Sequence, residues 1–247
     1  MMEQVRFFRL LGLFVAAAFL VAACAGVITL NPRPVIPQET PPPPGRAVPL
    51  IDINAPGRTA DLLADWSQGL TDATGISQSA LEAYGYAATV LAHTNPGCGI
   101  DWTTLAGIGS VESKHGTHGG ASVDAHGNAA PPIRGVVLDG GPSVAHIPDT
   151  DGGVMDGDPE FDRAMGPMQF IPETWVHWGV DANGDGVADP DNIDDAALSA
   201  ARYLCNRGGD LRTAEGWRTA IFAYNLSGDY VDKVREHAAA YSVAVRP

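Results

Sequence analysis

From about Thr59 onward, apolar positions recur at spacings of three and four, the period of an amphipathic helix. Leu62, Leu63, Trp66 and Leu70 share one face and predict a helix capped by Thr59. Ser79 followed three residues later by Glu82 has the form of a capping box and predicts a helix through Tyr84, Val90 and Leu91. Asp101 precedes Trp102, Leu105, Ile108 and Val111 on one face, which predicts a helix from Trp102 to His115 ended by Gly116. Further helices are expected over about 172–178, 194–207, 213–225 and 229–241, with Asp194 and Thr213 as caps. Residues 117–163 lose the helical period and are rich in Gly, Asp, His and Pro, with one short strand expected at Ile133 to Leu138. Such long loops in compact domains are often functional. The chain carries no internal repeat. The expected fold class is mainly α, one domain over residues 59–247 with a long irregular insertion.

The start of the chain reads differently. Arg6 and Arg9 precede an uncharged apolar run from Leu10 to Leu30, the pattern of an export signal or of a retained membrane anchor. Val21-Ala22-Ala23-Cys24 resembles the lipobox of bacterial lipoproteins, in which the Cys is acylated. Residues 1–23 are therefore expected to be a signal peptide or an uncleaved anchor, with Cys24 as the candidate lipidation site. Either outcome places the rest of the chain at the outer face of the cytoplasmic membrane, in the cell envelope. Residues 24–58 hold Pro32, Pro34, Pro37 and the run Pro41 to Pro44, which favours an extended polyproline II linker.

Charge and cysteine usage narrow the function. A net charge of −14 argues against nucleic acid and anionic lipid surfaces as partners. Acidic residues cluster between Asp149 and Asp195, which suggests a cation rather than a charged ligand. With Cys24 set aside, Cys98 and Cys205 remain. Export favours a disulfide between them over two separate buried thiols.

Glu112 is the first candidate for chemistry. It lies near the C-terminal end of a mostly apolar helix, where desolvation and the negative helix end both raise a carboxyl pKa. A carboxyl kept protonated near neutral pH suits a general acid that protonates a glycosidic oxygen. Alone, a single glutamate is more often an ordinary surface residue. Two further segments change the weighting: Gly166-Pro167-Met168-Gln169-Phe170-Ile171-Pro172, and Ala223-Tyr224-Asn225 at a helix end. In the order Glu-Ser, Gly-x-Met-Gln-Phe, Ala-Tyr-Asn they resemble the motifs of lytic transglycosylases with a goose-type lysozyme fold. Within that group the chain is most similar to the membrane-bound lytic transglycosylase B type. The segments Gln169 to Trp175, the acidic loop after it, and Asp195 to Leu204 follow that family's order, so the resemblance covers about residues 100–230.

The resemblance implies a lysozyme-like domain that binds peptidoglycan glycan strands. Glu112 would be the catalytic acid, and Ser113 would support the acid or the reacting sugar. Met168, Gln169 and Phe170 would line the cleft floor; Tyr203, Tyr224 and Asn225 would complete the substrate site. Gln and Asn amides suit acetamido and hydroxyl groups, and aromatic faces suit sugar rings. Ordinary glycosidases need two carboxyl groups. No second carboxylate falls in a matching motif, and Asp139, Asp156, Glu160 and Asp162 read better as solvated loop charge. The implied reaction needs none: Glu112 acts first as acid, then as base, and the product is a 1,6-anhydro-muramoyl end. A lysozyme-type muramidase and a non-catalytic peptidoglycan-binding lipoprotein are the rival readings. A Ca²⁺-controlled protein–protein module is a third.

The segment from Asp181 to Asn192 resembles an EF-hand loop, with Asp181, Asn183 and Asp185 at positions one, three and five and Gly186 at six. The Val187 carbonyl and Asp189 follow at seven and nine, and the expected Glu of position twelve is Asn192. A structural Ca²⁺ is expected there, bound weakly, with Asp191 or Asp194 as possible substitutes for the missing Glu. The B-type family carries a similar loop. His93, His115, His118, His126, His146 and His177 match no compact zinc motif. No organic cofactor is expected, and the protein is expected to be a monomer.

Overall fold

A computed structural model describes residues 34–142 and 144–247. The expected signal or anchor, Cys24 and the first part of the linker lie outside the described residues. Seven α-helices are described: α1 Ala64–Thr74, α2 Gln78–Thr94, α3 Trp102–Ser113, α4 Pro172–Trp178, α5 Ile193–Gly208, α6 Ala214–Tyr224 and α7 Gly228–Ser242. Among the described residues, no helix is long and apolar enough to cross a membrane.

The domain is built around α3. Trp102 to Gly109 are all buried, so this helix is enclosed on every side rather than amphipathic. It packs chiefly on α7, while α5 packs between α2 and α6. Two glycines allow the close approach. A Cβ on Gly107 would lie 2.8 Å from the Val234 carbonyl oxygen of α7, and one on Gly109 would collide with the Tyr84 hydroxyl of α2.

Helix starts follow side-chain capping, at positions that differ in part from expectation. Ser77, not Ser79, caps α2 by accepting from the Ala80 N–H. Ser79 instead donates its hydroxyl to the Asp124 carbonyl, 2.9 Å away. Glu82 is not a capping residue but a buried ion-pair partner. The Arg58 guanidinium lies 2.5 Å from Glu82, 2.7 Å from Asp194 and 2.7 Å from Asp61. Asp194 therefore neutralises Arg58 instead of capping α5, and Asn192 takes the cap, accepting from the Asp194 and Asp195 N–H groups. Thr213 caps α6 as expected. Asp101 precedes α3 without a side-chain capping bond, and α3 stops at Ser113, before Gly116.

The proline-rich segment lies on the domain from Pro42 onward, where the linker reading expected a spacer. The Trp102 indole N–H donates to the Arg46 carbonyl at 3.0 Å, and the Thr103 hydroxyl donates to the Pro43 carbonyl at 3.2 Å. An extended chain leaves its carbonyls unpaired, so it can satisfy donors at the start of α3. Before α1, Thr59–Leu63 forms a 3-10 turn.

The insertion is turns and two short antiparallel pairs. Strands β1 Ser122–Val123 and β2 Ala129–Ala130 pair with Ser122 opposite Ala130. Strands β3 Arg134–Val137 and β4 Arg163–Met165 pair with Arg134 opposite Met165. The second pair realises the expected strand near 133–138 and ends beside the turn at residues 166–170.

Cys98 and Cys205 form a disulfide with Cα atoms 5.3 Å apart and a sequence separation of 107. It ties the start of α3 to the end of α5. A closed loop of that length removes unfolded-state entropy worth about 4–5 kcal/mol. A Cys98→Ser, Cys205→Ser double variant should therefore lose stability of that order in denaturant melts. A loss below about 1 kcal/mol would show that the bridge contributes little.

Candidate active site

Glu112 sits in the last turn of α3, where the chain leaves the helix through two residues with positive φ. Lys114 has φ 53° and His115 has φ 61°. Left-handed conformations at two successive non-Gly residues are uncommon and need surrounding support. That support is a chain of polar side chains. His115 is buried, with Nδ1 3.1 Å from the Tyr84 hydroxyl and Nε2 2.9 Å from the Tyr241 hydroxyl. The Tyr241 hydroxyl donates to Ser110 Oγ at 3.0 Å, and Ser110 Oγ lies 2.8 Å from His237 Nδ1. One proton order satisfies every group. Tyr84 donates to His115 Nδ1, His115 Nε2–H donates to Tyr241, Tyr241 donates to Ser110, and Ser110 donates to His237. Burial lowers the His115 pKa to about 3, so the neutral ring this order requires is the stable form.

Ser113 fastens the same turn to the motif at 166–170. Its hydroxyl donates to the Pro167 carbonyl at 2.6 Å and accepts from the Gly116 N–H at 2.7 Å. It is buried and committed to backbone, so it holds the acid's turn and not a sugar. Met168 and Phe170 are core residues under the site, 0% and 3% exposed. Gln169 between them is partly exposed at φ 52°, with Nε2 donating to the Gly166 carbonyl at 2.9 Å.

Tyr224 closes the α6 side. Its hydroxyl donates to the Met168 carbonyl at 2.8 Å, and its ring meets Phe170 and Tyr203 edge to face. The Tyr203 hydroxyl donates to the Ala223 carbonyl at 2.7 Å, so Tyr203 braces Tyr224 from behind. Asn225 is the exposed C-cap residue of α6.

The residue that meets the acid is one the motif reading did not select. The Tyr230 hydroxyl of α7 donates to Glu112 Oε1 at 2.5 Å. In the sequence, Tyr230, Val231, Val234 and Tyr241 read as an ordinary core stripe, and nothing marks Tyr230 as facing a carboxyl. Burial raises the Glu112 pKa from 4.5 to about 7, against the lowering effect of the Tyr230 bond. Burial first, and the Glu112 charge second, push the Tyr224 and Tyr230 hydroxyls well above their ordinary range. Both tyrosines therefore stay protonated and act as donors. The arrangement is one largely buried, protonatable carboxyl, hydrogen-bonded to one phenol and within electrostatic reach of a second.

The loop carboxylates have other work. Asp156 accepts from the Arg163 and Asp158 N–H groups, and Asp162 accepts from the Thr150 N–H and hydroxyl. Asp139 accepts from the Gly141 N–H. Among the described residues, none of Asp139, Asp156, Glu160 and Asp162 is hydrogen-bonded to Glu112, Tyr224 or Tyr230.

In the acidic loop, Asp181 accepts from the Gly184 and Gly186 N–H groups, and Asn183 and Asp185 accept from residues two further on. These bonds, with Asp189 accepting from the Asp191 N–H, close a tight turn whose oxygen groups are of the hard type that Ca²⁺ takes. Asn192 does not belong to it. Its side chain caps α5 and donates to the His126 carbonyl and Asn128 Oδ1. The substitutes are also taken: Asp191 pairs with Arg134 at 2.7 Å and Asp194 with Arg58. Position twelve is thus lost to the helix cap and to ion pairs.

Residues 161–239 match the transglycosylase SLT domain family. That segment holds the Met168-Gln169-Phe170 and Tyr224-Asn225 motifs and Tyr230, and it begins after Glu112. Among solved structures, the chain is similar to the Escherichia coli lytic transglycosylase Slt35 in complex with bulgecin A, at 16% identity and a TM-score of 0.43. That similarity covers 76% of this chain and 80% of the other. No curated protein matches the chain.

The raised Glu112 pKa has a stability consequence with a definite sign. The folded state prefers the protonated acid, so its contribution is complete below pH 4.5 and is lost as pH rises through about 7. Glu112→Gln should remove that dependence and be more stable than the parent at pH 8, by up to about 3 kcal/mol. Tyr230→Phe removes a donor to the carboxylate and should move the Glu112 titration to still higher pH. A titration that stays in place in Tyr230→Phe would mean the bond does not form in solution.

Proposed function

We propose that the protein is a lytic transglycosylase that cleaves the β-1,4 bond between N-acetylmuramoyl and N-acetylglucosaminyl residues of peptidoglycan. The observation that carries this reading is the protonatable Glu112, hydrogen-bonded to Tyr230 and set beside Tyr224, with no second carboxylate bonded to that group among the described residues. The match of residues 161–239 to the transglycosylase SLT domain supports it. The resemblance of the motifs to the membrane-bound lytic transglycosylase B type supports the finer assignment.

In this mechanism Glu112 delivers its proton to the glycosidic oxygen as the bond to the muramoyl C1 breaks. The substrate's own acetamido group stabilises the developing oxocarbenium centre. The Glu112 carboxylate then takes the proton of the 6-hydroxyl, whose oxygen closes onto C1. The product is a 1,6-anhydro-muramoyl end, no water is consumed, and Glu112 is protonated again. A carboxyl with a pKa of about 7 suits both halves of that cycle. Tyr230 steadies the carboxylate between them. Gln169 and Asn225, the polar members of the two motifs, would hold the sugar's acetamido and hydroxyl groups.

Digesting peptidoglycan with the purified protein and weighing the released muropeptides tests the reaction. Anhydro-muramoyl products that disappear in Glu112→Gln are expected, since loss of the acid removes about 10²–10⁴-fold or more of the rate. Products that carry the mass of a water instead would make the protein a muramidase and would call for a second carboxylate. No release at all would favour the binding-lipoprotein reading.

The proposal includes export, and attachment to the cytoplasmic membrane through lipid on Cys24 or an uncleaved anchor. It also includes a structural Ca²⁺ held by Asp181, Asn183, Asp185, the Val187 carbonyl and Asp189, without Asn192. Ca²⁺ at a hundredfold excess over its dissociation constant should raise stability by about 2.7 kcal/mol. An Asp185→Asn variant should lose most of that rise. A melting temperature indifferent to Ca²⁺ would remove the ion from the picture.

A further inference from the structure

We propose that a pocket remote from Glu112 is a second saccharide-binding site, taking β-1,4-linked N-acetylhexosamine units of the same glycan. The inference rests on the glycan reading of the Glu112 site. The pocket lies between the C-terminal ends of α2 and α4 and the outer face of α5, with a volume of about 490 Å³. None of its lining residues is Glu112, Tyr224 or Tyr230.

Its chemistry is that of a sugar site. Leu91 and Leu198 form a buried apolar floor, and Trp178 is one wall. Asn95, Arg202 and Asn206 stand exposed at the rim. An apolar surface with an aromatic wall suits the C–H face of a pyranose, and amides and a guanidinium suit hydroxyl and acetamido oxygens. The chain has 29 Asp and Glu residues, yet none of the residues lining this pocket is acidic. That combination selects a neutral or anionic, hydrogen-bonding ring over a cation.

The pocket is also built to keep its shape. Trp178 meets Tyr203 edge to face, with ring centroids 5.7 Å apart and planes at 89°. Arg202 Nη1 donates to the Trp178 carbonyl at 3.2 Å, which sets the guanidinium along the rim. Tyr203 in turn meets Tyr224 at 5.7 Å. An aromatic row therefore runs from the pocket wall to the ring beside Glu112. A glycan held on Trp178 is positioned by the same row that shapes the catalytic site, a grip on the polymer separate from the bond being cut.

The test uses Glu112→Gln as a non-cleaving background, with tetra-N-acetylchitotetraose as the probe. The indole N–H resonance of Trp178, assigned with a Trp178→Phe variant, should shift and saturate on titration. Arg202→Ala should weaken the affinity read at that resonance about fivefold or more, the loss of one good hydrogen bond. Val90→Trp, which fills the pocket from a half-buried position on α2, should abolish the shift while the melting temperature confirms the fold. A Trp178 signal unmoved by millimolar sugar, or moved with an affinity that neither variant changes, would overturn the inference. Cleavage of peptidoglycan by the unaltered protein is read separately. If cleavage occurs while Trp178 stays silent, the second site fails alone; if neither occurs, the glycan reading fails and takes the second site with it.

Discussion

The structure depends on burying the C-terminal turn of α3 without leaving its polar groups unpaired. An enclosed helix that ends inside a protein exposes carbonyls and side chains to a medium that cannot hydrate them, and each unpaired group costs about 1–3 kcal/mol. Here the chain from Tyr84 through His115, Tyr241 and Ser110 to His237 supplies partners from α2, α3 and α7. Because every member is satisfied, the left-handed turn at Lys114 and His115 persists, and Glu112 is held at one depth. The depth sets its chemistry, since burial is the largest cause of its raised pKa.

A second constraint acts at a distance. Arg58 enters from the segment before α1 and meets Asp194 and Glu82, which belong to α5 and α2. A buried guanidinium with its carboxylates removed would be strongly destabilising, so the three elements stay together. Burial pushes Asp194 upward while Arg58 pulls it down. With Asp194 thus engaged, Asn192 caps α5, and its side chain is committed to the helix start, His126 and Asn128 rather than to the acidic loop. One ion pair therefore shapes the helix start and the loop beside it.

The glutamine motif and the tyrosine motif have unequal roles. Met168 and Phe170 disappear into the core, Ser113 is spent on Pro167, and Tyr203 braces Tyr224 from behind. What meets Glu112 is a smaller set: Tyr230 by a hydrogen bond and Tyr224 by its charge. Most motif residues are thus structural supports for a few reactive groups, as expected where a site must be held to a fraction of an ångström.

The sequence by itself determined that the domain is mainly helical and where α4, α6 and α7 lie, and it favoured the pairing of Cys98 with Cys205 that the structure contains. Helical periodicity and turn composition are local properties, and the two cysteines among the described residues have only each other to pair with. Glu112, the 166–172 segment and Tyr224 were legible because their residue types recur in a known order. Only the tertiary structure decided that Tyr230 meets Glu112, that Ser77 rather than Ser79 caps α2, and that Asn192 faces α5 and not the acidic loop. Each of those is a competition between partners far apart in the chain. Arg58 outbid the local capping roles of Glu82 and Asp194 because a buried charge needs its counter-ions more than a helix start needs one particular cap.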